Sequence, residues 1–184
     1  MENSRMIPLG VTRKLGRAMV SLAIALTAVV VVANPASADP VKPMACPPEE
    51  SYDNISYVSD VHYRIGPGYQ DYNGTSNNAT ITLTATVGGT AGVSYTGSIS
   101  AKVSVIVAEI NVQTSMTVHA SLTASVTNSI QLIARPHTSV YGDYGVWRKK
   151  TTGLYSIFYQ SCNSNSAWIT SWAPARVGWN TWGG

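Results

Sequence analysis

Between Thr80 and Ala134 apolar and polar residues alternate with a period of two, and the phase changes once. Ile81, Leu83, Ala85, Val87, Val93, Tyr95, Ile99, Ala101, Val103, Val105 and Val107 occupy odd positions. Ile110, Val112, Met116, Val118, Ala120, Leu122, Ala124, Val126, Ile130 and Leu132 then occupy even ones. Ser and Thr fill most sites between. Such alternation predicts strands with one apolar and one wet face. The phase changes at Ala108–Glu109. If the chain folds back there, residues whose numbers sum to 217 face each other. Val107 then meets Ile110, Val105 meets Val112, Ala101 meets Met116 and Ile99 meets Val118. A register one residue out of step would put apolar residues on the wet face. The pattern predicts one long amphipathic β-hairpin over 80–134, closed by a loop at Val107–Ile110. Arms of about 25 residues at roughly 3.3 Å each would span about 80 Å if straight.

The flanking segments read differently. Aromatic residues cluster at Tyr52–Tyr72 and Tyr141–Trp182, whereas Tyr95 is the one aromatic residue between. Ile55–Arg64, Tyr141–Lys150, Leu154–Gln160, Ala167–Trp172 and Arg176–Trp182 have strand character, with a break at Gly66-Pro67-Gly68. No segment after residue 38 shows an amphipathic helix pattern. The expected fold is all-β and mostly antiparallel. An aromatic-rich head comes from 55–79 and 135–184, and the hairpin 80–134 extends from it as an elongated sheet or sandwich. Residues 39–54, with four prolines, read as an extended arm.

The N-terminus alters the charge balance. Arg13, Lys14 and Arg17 precede the apolar run Ala18–Ala33, and Ala36-Ser37-Ala38 follows. This is the pattern of a secretory signal peptide, 1–38, cleaved after Ala38. Its removal takes Arg5, Arg13, Lys14, Arg17 and Glu2, four of twelve basic and one of nine acidic residues. The formal charge of +3 thereby becomes zero, and a nucleic-acid partner loses its electrostatic basis. Export also favours a disulfide between Cys46 and Cys162, the two cysteines present.

The Ser/Thr-rich alternating strand Thr80–Val107, the less polar tip Val105–Ile110, the returning strand and the proline corner Arg135-Pro136-His137-Thr138-Ser139-Val140 resemble the aerolysin-like β-pore-forming superfamily, its epsilon-toxin/Mtx2 branch in particular. The likeness covers about Asn77–Val146. The chain also resembles small secreted actinomycete proteins without assigned chemistry. Where that family often carries two prolines at the corner, Arg135 stands in the first place. Neither a separate receptor-binding domain nor an activation tail is recognisable.

The resemblance implies a secreted, non-enzymatic protein that oligomerises and inserts its hairpin as part of a barrel. Ile99–Val107 and Ile110–Val118 each have the nine residues that a tilted spanning strand needs. Lipid would face Ile99, Ala101, Val103, Val105, Val107, Ile110, Val112, Met116 and Val118. Ser98, Ser100, Lys102, Ser104, Asn111, Gln113, Ser115, Thr117 and His119 would face the lumen. Ile106 falls on the lumen side and Thr114 on the lipid side, against the pattern.

A different reading makes the chain a structural or adaptor subunit of a secreted multi-protein toxin particle, holding other subunits by its arm or an edge strand. A third assigns surface recognition, of glycan or membrane interface, to Trp168, Trp172, Trp179 and Trp182. Catalysis has little in its favour. His62, His119 and His137 are isolated, no paired carboxylates stand out, and the motifs of metalloproteases, serine hydrolases and nucleotide-binding loops are missing from the sequence. No catalytic residue, metal ligand or cofactor is expected.

Overall fold

The computed structural model describes residues 45–184; the signal-peptide reading lies outside them. Among the described residues the fold is mostly β, with antiparallel sheets and one short helix. Its longest elements are not the Ser/Thr-rich arms but the aromatic-rich flanks. β1 (Glu49–Tyr72) has 24 residues, and β7 (Ser139–Phe158) and β8 (Ser164–Gly183) have 20 each. At about 3.3 Å per residue a 20-residue strand extends about 66 Å. β7 pairs with β1 on one side and with β8 on the other. The short β4 (Ser94–Thr96) adds to the far edge of β8, so the order is β1-β7-β8-β4.

The expected break at Gly66-Pro67-Gly68 does not interrupt β1. Its ladder to β7 slips between Arg64 and Gly68, and also at Asp53/Ser56 and Tyr57/Ser59. β1 is an edge strand, so Pro67 sits in a bulge where no ladder hydrogen bond is lost. The end of the expected arm is likewise strand, because β1 begins at Glu49. Two glycines of β7 accommodate these bulges. A Cβ on Gly153 would lie 2.6 Å from the Tyr52 ring, and one on Gly145 would collide with the Tyr63 carbonyl oxygen. The β7–β8 turn is closed by Tyr159 N–H donating to Asn163 O at 2.9 Å and Cys162 N–H donating to Tyr159 O at 2.9 Å. Cys162 takes a left-handed φ of 63° there. It is disulfide-bonded to Cys46 with the Cα atoms 5.2 Å apart, which ties the approach to β1 to that turn.

The alternating middle lies against one face of this long sheet. β2 (Ala79–Thr84) pairs with β6 (Ser129–Ala134), and β3 (Gly89–Gly92) pairs with β5 (Ser121–Ala124). In both ribbons the paired numbers add to 213, not 217. The shift is even, so the apolar positions keep their common face. Ile81, Leu83 and Ala134 are buried with Val140, and Ala85, Ala91 and Ala124 with Ile65, Tyr144 and Val146.

The uninterrupted hairpin is corrected beyond Val93 and Ala120, where the last bond of the ribbon joins Val93 N–H to Ala120 O. There the arms part. β4 leaves to pair with Ser171 and its neighbours on β8, and the intervening chain forms α1 (Val103–Gln113). The physical reason is a break in the alternation: Ile106 stands off it, and Val103, Ile106, Val107 and Ile110, at i, i+3, i+4 and i+7, form a helix face. Ile106 and Ile110 use that spacing to enter a recess made by Tyr52, Tyr155, Ile169 and Ala173. Burying two isoleucines there outweighs the strand preference of the segment.

Candidate functional site

The unusual element is α1, whose composition suits a strand. Six of its eleven residues are β-branched: Val103, Val105, Ile106, Val107, Ile110 and Val112. Its N-cap, Lys102, makes no side-chain cap bond. No acidic residue stands in the first turn and no basic one in the last. Each β-branched residue costs roughly 0.5 kcal/mol against alanine in a helix, so intrinsic preference opposes α1 by about 3 kcal/mol. Tertiary contacts hold it. Ile106 and Ile110 are fully buried, and Ile99 and Val118 from the flanking loops join the same cluster.

The nine residues expected on a lipid-facing stripe are therefore not on one face here. Ile99, Ile110 and Val118 are buried; Ala101, Val103, Val105, Val107 and Met116 are partly buried; Val112 is 81% exposed. Ile106, placed on the lumen side by alternation, is among the most buried side chains of the protein.

Polar latches bracket this segment. On its N-terminal side Lys102 Nζ lies 2.7 Å from Glu50 Oε1, and the Tyr155 hydroxyl donates to Glu50 Oε2. The Lys102 N–H donates to the Tyr155 oxygen at 2.8 Å, and the Ala101 N–H donates to the Tyr95 oxygen at 2.9 Å. The hydrogen bond from Lys102, then that from Tyr155, hold the Glu50 carboxyl below the usual carboxylate range. Burial, with the bond to Glu50, pushes the Tyr155 phenol up to about 12.

On the C-terminal side the Gln113 amide donates to Tyr52 O at 2.9 Å and to Glu109 Oε2 at 2.7 Å. Asn111 clasps Val118 at both backbone groups, accepting from its N–H at 2.8 Å and donating to its carbonyl at 3.1 Å. A cavity of about 350 Å³ opens between the N-terminal end of α1 and the ends of β1 and β7; Lys102, Val105, Glu50 and Phe158 line it.

The four tail tryptophans do not converge. Trp168 is 63% exposed and Trp182 48%. Trp179 turns inward onto Tyr69 and Tyr144, and its Nε1 donates to Asn128 Oδ1 at 2.9 Å. Trp172 lies under Lys150 Nζ, 5.7 Å from the ring centroid. The basic run Arg148-Lys149-Lys150 is engaged rather than free. Arg148 stacks on Tyr63 and donates to Ser94 Oγ, and Lys149 pairs with Asp60 at 2.7 Å while lying over Tyr57. Trp147, which alternation did not single out, holds Arg176 at 4.8 Å and the His62 ring at 4.9 Å. A clue was available: it is the tryptophan nearest that basic run.

Among the described residues no group of three or more His, Cys, Asp or Glu is placed to hold a metal ion, and no helix is long and apolar enough to cross a membrane. Comparison with protein-family models, curated proteins and solved structures finds no match to this chain.

Proposed function

We propose that the chain is a secreted, non-enzymatic pore-forming β-protein, in which residues 99–118 leave the face of the long sheet and refold as a spanning hairpin. The observation that carries this reading is α1: a segment with strand-like alternation, six β-branched residues in eleven and no side-chain N-cap is held as a helix largely by contacts outside itself. A local preference that conflicts with the observed state marks a candidate switch. Oligomerisation would supply the neighbouring strands that satisfy the hairpin's backbone in a bilayer. The signal-peptide pattern and the Cys46–Cys162 bridge fit an exported protein.

Release of dye from liposomes by the purified mature chain, together with an oligomer that survives SDS, is the expected result. Absence of release from every lipid composition tried, with the protein remaining monomeric, would refute the proposal.

The adaptor reading draws support from the edges of the long sheet. Among the described residues β4 covers just three positions of β8, and the outer edge of β1 pairs with nothing. Such edges accept added strands. Pull-down from a culture supernatant that brings down distinct subunits, with no lysis of liposomes, would favour it over pore formation.

A further inference from the structure

The outer face of the long sheet, away from α1 and the ribbons, carries a second array that the hairpin does not use. Along β7, Val140, Tyr144 and Val146 point into the core, so Tyr141, Asp143, Gly145 and Trp147 point outward. Register brings their neighbours to the same face. Gln70, Tyr141 and Trp182 form one row; Gly68, Asp143 and Asn180 the next; Arg64, Gly145 and Gly178 the third; His62, Trp147 and Arg176 the fourth. From the first row to the last is about 20 Å. Tyr141 and Trp182 stack with an interplanar angle of 4° at one end. Trp147 stands at the other, and the rows between are glycine, amide, carboxylate and guanidinium.

We infer that this face binds a neutral oligosaccharide, laid along β7 between Trp182 and Trp147. Sugar rings present apolar C–H faces that stack on exposed aromatic rings, and hydroxyls that pair with amides and carboxylates. Two polar atoms of the array are buried without a hydrogen-bond partner: Asp143 Oδ1, an acceptor, and Trp147 Nε1, a donor beside the stacked Arg176. Arg64 Nη1 covers the first at 3.5 Å, too far for a good hydrogen bond. Arg64 is 55% exposed and free to swing aside. Trp147 Nε1 borders a small notch over Gly178, where a Cβ would sit 3.8 Å from it and 3.5 Å from Arg176 Nη1, so a ligand reaches Nε1 by displacing the exposed Arg176.

Charge argues for a neutral ligand. Arg64 is offset by Asp143, and Arg176 is spent on the Trp147 ring, so no cluster of free cations awaits phosphates or sulfates. The aromatic rings are separated by Asp143 and Asn180 rather than joined into an apolar patch, which does not suit a lipid surface. The site is independent of α1 and stands or falls apart from pore formation.

The test uses the purified mature chain on a glycan array, on insoluble cellulose, chitin and mannan, on heparin, and on liposomes of neutral and of anionic phospholipid. Binding to a neutral glycan is expected. Trp182→Ala should weaken it roughly tenfold by removing a stacking ring, and Gly178→Val should weaken it by filling the notch. The melting temperature should change little in either variant, because Trp182 is half exposed and the Gly178 Cβ position meets ordinary contacts only. Trp168→Ala, beyond the array, should leave binding intact. Retention solely on heparin or anionic liposomes, retention on nothing, or glycan binding that Trp168→Ala abolishes and Trp182→Ala spares would each overturn the inference.

Discussion

Replacing Val105 and Val112 together by cysteine would separate the two conformations of the 99–118 segment covalently. In α1 the two positions are seven residues apart, and at 1.5 Å rise per residue their Cα atoms lie about 10.5 Å from each other. A disulfide needs Cα atoms within about 7 Å. In the hairpin with register 217 the same two residues are directly opposed, about 4.5–5.5 Å apart.

The balance in water follows from what must leave the core. Ile99, Ile106, Ile110 and Val118 are each at least nine-tenths buried. At about 1.5–3 kcal/mol per side chain, withdrawing all four costs about 6–12 kcal/mol, an upper range because the unfolded chain also buries some surface. Against this, release of the unfavourable helix propensity returns about 3 kcal/mol. The lower end of the difference, roughly 3–9 kcal/mol, corresponds to about one free monomer in a hundred as hairpin.

Oxidation of the double variant in buffer should therefore yield mostly free thiols at 105 and 112, with Cys46–Cys162 intact as an internal reference. Oxidation after incubation with liposomes that support dye release should yield the 105–112 bridge, read by non-reducing peptide mass mapping. Equally rapid bridging in buffer would show that α1 is not the resting state. Dye release with no bridge at any stage would show that another part of the chain crosses the bilayer.

Further predictions concern what holds the resting fold. Gly153→Ala sets a Cβ 2.6 Å from the Tyr52 ring and 2.9 Å from Asp53 O, so urea unfolding should show a loss of about 2 kcal/mol or more; an unchanged midpoint would mean that the β1 bulge moves freely. Glu50 has its carboxyl pKa depressed in the fold by Lys102 and Tyr155, so its contribution is present above its unfolded value and is lost as pH falls through the folded one. Tyr155 is the converse case: its pKa is raised to about 12, so its contribution is present below about pH 10 and disappears as pH rises toward 12. Glu50→Gln should flatten the acid limb of a stability–pH profile, and a profile superimposable on the parent would remove Glu50 as the latch. The Cys46–Cys162 bridge spans 116 positions, for which loop-closure entropy suggests a loss of about 4–5 kcal/mol on reduction; thermal melts with and without reductant would measure it, and a negligible shift would mean that the unfolded chain is already constrained there.

Alternation in the ribbons was readable because a period-two pattern leaves one arrangement with an apolar core face. Ile81, Leu83 and Ala134 lie where that pattern puts them, and an even slip in register left the face unchanged. The disulfide followed from there being two cysteines and the sequence pattern of an export signal. The unbroken run of β1 did not follow, because Pro67 argues against a central strand and nothing local reveals that β1 is an edge with a bulge at that residue. The outer array was hidden for a related reason: Gln70, Asp143 and Asn180 are unremarkable in sequence and become neighbours through the β1-β7-β8 register alone.

The sequence by itself determined that the middle of the chain alternates, that its phase turns over near Ala108, and that its flanks are aromatic strands joined by a disulfide. Tertiary structure decided what residues 99–118 do with that alternation. Ile106 and Ile110 share a face in a helix, whereas in the hairpin of register 217 they fall on opposite faces. The recess formed by Tyr52, Tyr155 and Ile169 buries both at once and so selects the helix.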